Sequence, residues 1–339
     1  MSTKIDKQWK DAFLKTSVPL EYLVAEQLSD LRCGIQGEYH YVRPNEEGVP
    51  TEFSVDIWAV THLFKKDIGM WADLNFLIEC KYCYPGIKWL FAPLPKTATE
   101  HLSEPGIVHT LDELCTRQIM DKRPLWNLSN RFHRCFKGVE LLPKDATIQN
   151  IEKGRSQLMY AMPRFAIHLS GSQTIPFHDE DLQISFICPI LITTADLYVL
   201  KKGLKLNDFK NANSPEDIAT QVQALILTNP YSQLFNDYTD NLISAMHLKS
   251  PKIKERLEQL QTLKDKLTGE DNSRIPASFS FDWNIRESST RILIVNYNHL
   301  EDIYKLIRQT VVRAGKNLKQ IGVLQKDISK MKTWIVEIK

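Results

Sequence analysis

The segment 74–82, LNFLIECKY, constrains this chain more than any other. It is apolar on both faces before its charged end, which suits a central strand covered from two sides. Alternation with a period of two puts Glu79 and Lys81 side by side on one face of that strand. An unpaired buried charge is costly or abandons its ordinary pKa, so the fold must bring counter-groups to this strand end. The segment 52–61, EFSVDIWAVT, offers one. Alternation there puts Glu52, Ser54 and Asp56 on one face and Phe53, Val55 and Ile57 on the other. Two acids and a lysine at the ends of two buried strands suit a divalent cation. Magnesium takes carboxylate oxygens plus water, often with only one or two carboxylates beside a substrate phosphate. Glu52 lies ~13 Å along the strand from Asp56 at ~3.3 Å per residue, too far to share an ion with it.

The rest of the chain frames these strands. Residues 18–32 form an amphipathic helix, with Leu20, Leu23, Val24, Leu28 and Leu31 on one face, Ser17 as N-cap and Gly34 as the stop signal. Strands are expected at 38–43, 52–61 and 74–82, with a hairpin excursion between the last two. Residues 85–110, with four prolines, read as a long irregular covering segment. Residues 111–137 read as helical pieces. Residues 146–163 read as a second core helix, with Ile148, Ile151, Leu158 and Met162 inward. One or two buried strands follow in LQISFICPILITTADLYVL, helices at 214–227 and 250–267, and a strand and helix in RILIVNYNHLEDIYKLIRQTVV capped by Asn298. The mixture indicates an α/β fold.

The 339 residues are a prior for about two domains of roughly 150 residues. The 43 Lys and Arg against 41 Asp and Glu exclude a tail-driven nucleic-acid binder and leave room for a local basic groove. Six cysteines are too sparse for a disulfide scaffold. No apolar leader opens the sequence, and no run reaches the ~18 apolar residues of a membrane span. The expectation is a cytoplasmic protein without a membrane partner.

Asp56 followed by Glu79-Cys80-Lys81, behind a helix that carries Glu21, resembles the PD-(D/E)XK, or restriction-endonuclease-like, nuclease superfamily. The resemblance covers roughly residues 15–200. Val55 departs from the family's proline before the aspartate, and the long separation of Asp56 from Glu79 requires an inserted hairpin. The resemblance implies a mixed central sheet flanked by helices in residues 1–200, with an inserted loop and helical segment at about 85–145. Residues 201–339 would add helices and strands, either completing the same sheet or standing as an accessory region. It implies a magnesium-dependent deoxyribonuclease, with manganese as a substitute and endonuclease ahead of exonuclease, acting in restriction, repair or defence. Asp56 and Glu79 would ligate the metal, with the Cys80 carbonyl as a further oxygen. Lys81 would orient the attacking water and Glu21 would hold a second metal or an outer water. Gln157 would be the polar residue that some branches place near the site. DNA would be the substrate ahead of RNA, acted on by a homodimer or a larger defence or repair complex. The rival reading is an inactive scaffold of the same fold that binds nucleic acid or a protein.

Cys80 and Cys83 have a C-x-x-C spacing, but zinc needs four convergent ligands, and alternation aims these two apart. Residues 117–137 interleave basic residues with Trp126, Phe132 and Phe136. Arg123, Arg131 and Arg134 are the candidates there for nucleic-acid contact. The segment 304–339 carries nine lysines and arginines against Asp327 and Glu337, a second candidate for backbone phosphates.

Overall fold

A computed structural model describes residues 9–10, 12–14, 16–45, 47–65, 70–95, 106–110, 123–143, 145–172, 182–228, 232–249, 254, 258 and 277–314. Apart from residues 254 and 258, the expected helix at 250–267 lies outside these residues, as do most of the basic segment 304–339 and Cys115.

Helix α1 (Val18–Asp30) buries Leu20, Val24 and Leu28. Leu23, expected on the same face, is exposed. Ser17 makes no side-chain cap, because it already has helical dihedrals and its carbonyl accepts from the amide of Glu21 at 3.0 Å. The helix ends at Arg32, not Gly34: Arg32 takes a left-handed φ of 65°, and the Cys33 amide donates back to the Leu28 carbonyl at 3.0 Å. This is a Schellman closure with arginine where glycine is usual.

Strands β1 (Gly34–Pro44), β2 (Pro50–Lys65) and β3 (Met70–Lys81) form an antiparallel meander. The hairpin excursion expected between the last two strands is their own continuation, since Leu63 and His62 still pair with Ala72 and Asp73. Next come β4 (Lys88–Pro93) and β5 (His109–Thr110). The first corrects the irregular reading of 85–110, because Trp89 and Phe91 alternate inward as a strand requires. The piecewise helix holds only for α2 (Arg123–Ser129); His133 to Leu141 is strand β6, followed by β7 (Ala146–Thr147).

Helix α3 (Gln149–Ser172) carries the chain back across the sheet to β8 (Leu182–Thr193), which lies parallel to β3 from Met70↔Leu182 to Lys81↔Thr193. Ile151, Leu158 and Met162 are buried as expected, but Ile148 precedes the helix and is exposed. Glu140, itself buried, starts α3 by accepting from the Asn150 amide at 2.7 Å and its side-chain nitrogen at 2.8 Å.

After β9 (Asp196–Leu200) and α4 (Leu206–Asn211), the expected helix at 214–227 shrinks to α5 (Pro215–Ile218), with its Ser214 and Asp217 capping box. Strands β10 (Ala219–Val222) and β11 (Ala224–Thr228) replace the remainder, the latter a wholly apolar ALIL run. Helices α6 (Gln233–Lys249) and α7 (Ala277–Glu287), strand β12 (Arg291–Asn296) and helix α8 (Leu300–Ala314) complete the described chain. The turn into α8 is capped by Asn296, whose side chain accepts from the Asn298 amide at 2.9 Å, and not by Asn298.

Twelve strands among the described residues make one mixed sheet, ten of them along the path β1-β2-β3-β8-β12-β11-β6-β4-β9-β10, with β5 paired to β8 and β7 to β6 off it. The strands after residue 200 are therefore built into the same sheet as β3. Helices cover both faces. On one, Phe165 of α3 packs against Trp58, with ring centroids 5.3 Å apart. On the other, Tyr304 of α8 meets Phe76 and donates to Thr61 Oγ1 at 3.1 Å and the Leu31 carbonyl at 3.3 Å, tying α8 to α1. None of the described helices is long and apolar enough to cross a membrane.

Candidate active site

Strand β2 has two partners, and it leaves one of them early. Its ladder with β1 runs to Pro44↔Pro50, whereas its ladder with β3 stops at Ile57↔Ile78. Beyond that pair the sheet forks. Asp56 stands opposite Glu79 at the fork, and β2 continues past it paired only with β1. Between Gly37↔Trp58 and Tyr39↔Val55 the register shifts, with an extra residue on β2 at the position of Asp56 and Ile57. A bulge of this kind re-aims side chains next to it. Strict alternation from Glu52 is thereby corrected. Trp58 packs against Phe165 of α3, and Phe53 also faces α3 through Arg43 and Tyr160, although alternation would set the two on opposite faces.

Within the fork Asp56 Oδ2 accepts the Cys80 amide at 2.7 Å. This amide has lost its β2 ladder partner, so the carboxylate replaces the missing strand. In an extended strand one residue's N–H and C=O turn to the same edge, so the Cys80 carbonyl faces the fork too. The Cys80 thiol is fully buried, and burial pushes its pKa well up, so it is inert as a nucleophile.

Glu79 is completely buried, and its Oε1 accepts from Lys81 Nζ. Lys81 Nζ also donates to Gln157 Oε1 at 3.2 Å. Gln157 spans the parted strands: its Nε2 donates to the Ser54 carbonyl of β2 at 3.1 Å while its Oε1 holds the lysine of β3. Its own carbonyl accepts from Tyr41 Oη at 3.0 Å, which fixes α3 over the fork. Gly154, one turn earlier, lets the helix close in, because a Cβ there would lie 2.7 Å from Leu191 Cδ1 and 3.4 Å from Lys81 Cε.

The electrostatics follow from this burial. Asp56 is pushed up to about 6, by burial first and by the nearby charge of Glu21, against the pull of the Cys80 amide. Glu79 is pushed up to about 8, by burial and then by Asp56, which together outweigh the attraction of Lys81. Its second oxygen, Oε2, is buried with no hydrogen-bond partner. A buried acceptor without a donor is costly, and a hard cation between the two carboxylates would supply what it lacks. Among the described residues no group of three or more histidine, cysteine, aspartate or glutamate side chains is placed to hold a metal. Glu21 thus acts on Asp56 through charge but does not join a three-carboxylate set. The donors that fit magnesium are Asp56, Glu79 and main-chain oxygen at Cys80.

Protein-family models, curated proteins and solved structures contain no match to this chain.

Of the residues singled out in the sequence, Asp56, Glu79, Lys81 and Gln157 meet at the fork, with Glu21 in electrostatic reach. Arg123, Arg131 and Arg134 are elsewhere. Arg134 lies in one row with Ile226, Leu293, Ile190 and Ile78, four ladder steps or ~19 Å from β3. It therefore faces the side of the sheet opposite to Glu79, and its guanidinium is bonded to Asn130 Oδ1 at 2.9 Å. Arg123 and Arg131 are exposed at α2 and in the turn after it. Glu52 is exposed and paired with His40 at 3.1 Å, outside the site. Cys83 follows β3 and its amide bonds Thr194 Oγ1 at 2.7 Å. Sequence reasoning missed Tyr41 and the Ser54 carbonyl. The alternating aromatics of GEYHYVR were the available signal for Tyr41; nothing marks a backbone carbonyl.

Proposed function

We propose that this chain is a metal-dependent nuclease of restriction-endonuclease-like fold that hydrolyses phosphodiester bonds, in DNA ahead of RNA. The observation that carries the reading is the fork: two carboxylates, one with an orphaned buried oxygen, beside a lysine held by a glutamine. The order of elements supports it as well, with a helix, three antiparallel strands, a helix on the opposite face and a strand parallel to the third.

Asp56, Glu79 and the Cys80 carbonyl would hold magnesium. The chemistry it supplies when bound is Lewis acidity toward a phosphoryl oxygen. Lys81 carries a fixed positive charge to where negative charge grows on the attacked phosphate, and its ammonium orients the water that adds to phosphorus. As the new P–O bond forms, the bond to the leaving alkoxide breaks, and that oxygen takes up the proton the water gives. Gln157 keeps the ammonium at the fork instead of letting it turn to solvent. To hold the cation Asp56 and Glu79 would have to give up the protons they retain, so affinity for the ion should rise with pH through the range where these groups titrate.

The test is incubation of the purified chain with plasmid and linear DNA, with and without magnesium. The reading expects magnesium-dependent cutting that Lys81→Ala slows by about 10²–10³ or more. DNA binding without cutting under magnesium or manganese would leave the inactive scaffold instead, and cutting confined to RNA would move the substrate class.

A further inference from the structure

Beyond the fork, the free end of the β1–β2 hairpin carries an arginine that the hydrolytic centre does not use. Arg43 pairs with Thr51 across the hairpin, two residues past Tyr41, on the side of α3. Its guanidinium carbon lies 4.1 Å from the centroid of Phe53 and 4.5 Å from that of Tyr160. The planar cation is thus clamped between a ring of the hairpin and a ring of α3 one turn on from Gln157. Behind Tyr160, the Tyr238 hydroxyl of α6 donates to the Tyr160 carbonyl at 3.1 Å. Phe235 and Tyr238 also pack edge-on against its ring, with centroids 5.4 and 5.1 Å away. The clamp is therefore rigid.

Arg43 Nε is buried with no hydrogen-bond partner, and no carboxylate pairs with the side chain among the described residues. Aromatic faces offset part of the cost of removing a guanidinium from water, and the Tyr41 hydroxyl takes one hydrogen bond from it, but the Nε donor is left without an acceptor. A side chain so held is pre-organised: little rotamer freedom remains to be lost when an anion arrives. The path from Arg43 to the lysine is short and continuous. Tyr41 and Phe53 are stacked neighbours beside Arg43, Tyr41 Oη bonds the Gln157 carbonyl, and Gln157 Oε1 bonds Lys81.

We infer that Arg43, clamped between Phe53 and Tyr160, is a binding site for a backbone phosphate of the DNA strand next to the one cleaved at Lys81. This assignment rests on the nuclease reading for its ligand. It makes the overhanging end of the β1–β2 hairpin, and not the distant Arg123, Arg131 and Arg134, the surface that first meets the substrate. Arg43 acts by binding and takes no part in bond breaking.

Fluorescence anisotropy of a labelled DNA duplex, titrated with the Lys81→Ala chain in magnesium at several salt concentrations, tests it without consuming the substrate. Adding Arg43→Met should weaken binding about 10-fold and reduce the slope of log K against log salt by about 0.9, the loss of one phosphate contact. Arg43→Lys keeps the charge and gives up the stacked plane, so it should retain the slope with a smaller loss of affinity. It also carries the test if Arg43→Met melts early. Unchanged affinity and slope in Arg43→Met, or no duplex binding by the Lys81→Ala chain, would overturn the assignment. The two readings fail separately. Wild-type cutting with an indifferent Arg43 sinks this site alone, and Arg43-dependent binding with no wild-type cutting sinks the hydrolase alone.

Discussion

Lys81 is the residue on which the chemistry turns, since its ammonium is, among the described residues, the one positive charge bonded within the fork, touching both Glu79 and Gln157. Lys81→Ala should lower the cleavage rate by about 10²–10³ or more, the scale for removing one group that stabilises developing charge. Gln157→Ala frees the ammonium without deleting it, so its cleavage rate should lie between those of the wild type and Lys81→Ala. The two carboxyls make a separate prediction about stability. Burial raises both above the ordinary carboxylate range, so the folded chain holds protons that the unfolded chain has released. Stability from this source is complete below the ordinary range. It is lost as pH rises through about 6 for Asp56 and about 8 for Glu79. Without divalent cations the melting temperature should fall over this window, and Glu79→Gln, which has no proton to lose, should flatten the fall. Thermal melts of the two chains in chelator, from about pH 5 to about pH 9, check the sign. A wild-type curve that rises through this window would show the carboxylates to be stabilised as anions.

At the scale of elements, two close approaches fix the sheet and its covering helix. Gly138 of β6 faces Phe91 of β4, where a Cβ would lie 2.4 Å from the ring and 3.0 Å from Ile151 of α3. A fully buried phenyl ring has nowhere to go, so Gly138→Ala should cost about 1–3 kcal/mol, read from denaturant midpoints. Arg32 makes the opposite prediction. Its left-handed φ of 65° costs a side-chain residue about 1–2 kcal/mol, so Arg32→Gly should stabilise the chain, as the same titration would show. These elements also show what the sequence could reveal. The 74–82 strand was legible because its apolar run ends in charges, and α3 because its buried residues recur at helical spacing. The strand at Lys88–Pro93 was hidden by its flanking prolines. The strands at 219–228 were hidden behind SPED, a strong helix-start signal that the chain spends on a single turn.

For the whole molecule, the sheet order was illegible. Strands β11 and β12, from 224–228 and 291–296, sit between β8 and β6, and such long-range pairings leave no local signature. That insertion separates Arg134 from the fork, and its row in the sheet, shared with Ile78, puts it on the other face. The site was more legible than the sheet, because charges at the ends of apolar strands need partners in any fold. The bulge at Asp56 was not, since it is a property of pairing and not of alternation. The central claim is that Asp56, Glu79 and Lys81 act as one hydrolytic unit. Single-turnover cleavage of a DNA duplex in magnesium, measured for Asp56→Asn, Lys81→Ala and the double variant, tests it most directly. Groups that act as a unit are strongly non-additive, so the double variant should cut no more slowly than the slower single variant, within about threefold. A single variant that cuts at the wild-type rate, or losses that multiply in the double variant, would contradict the account.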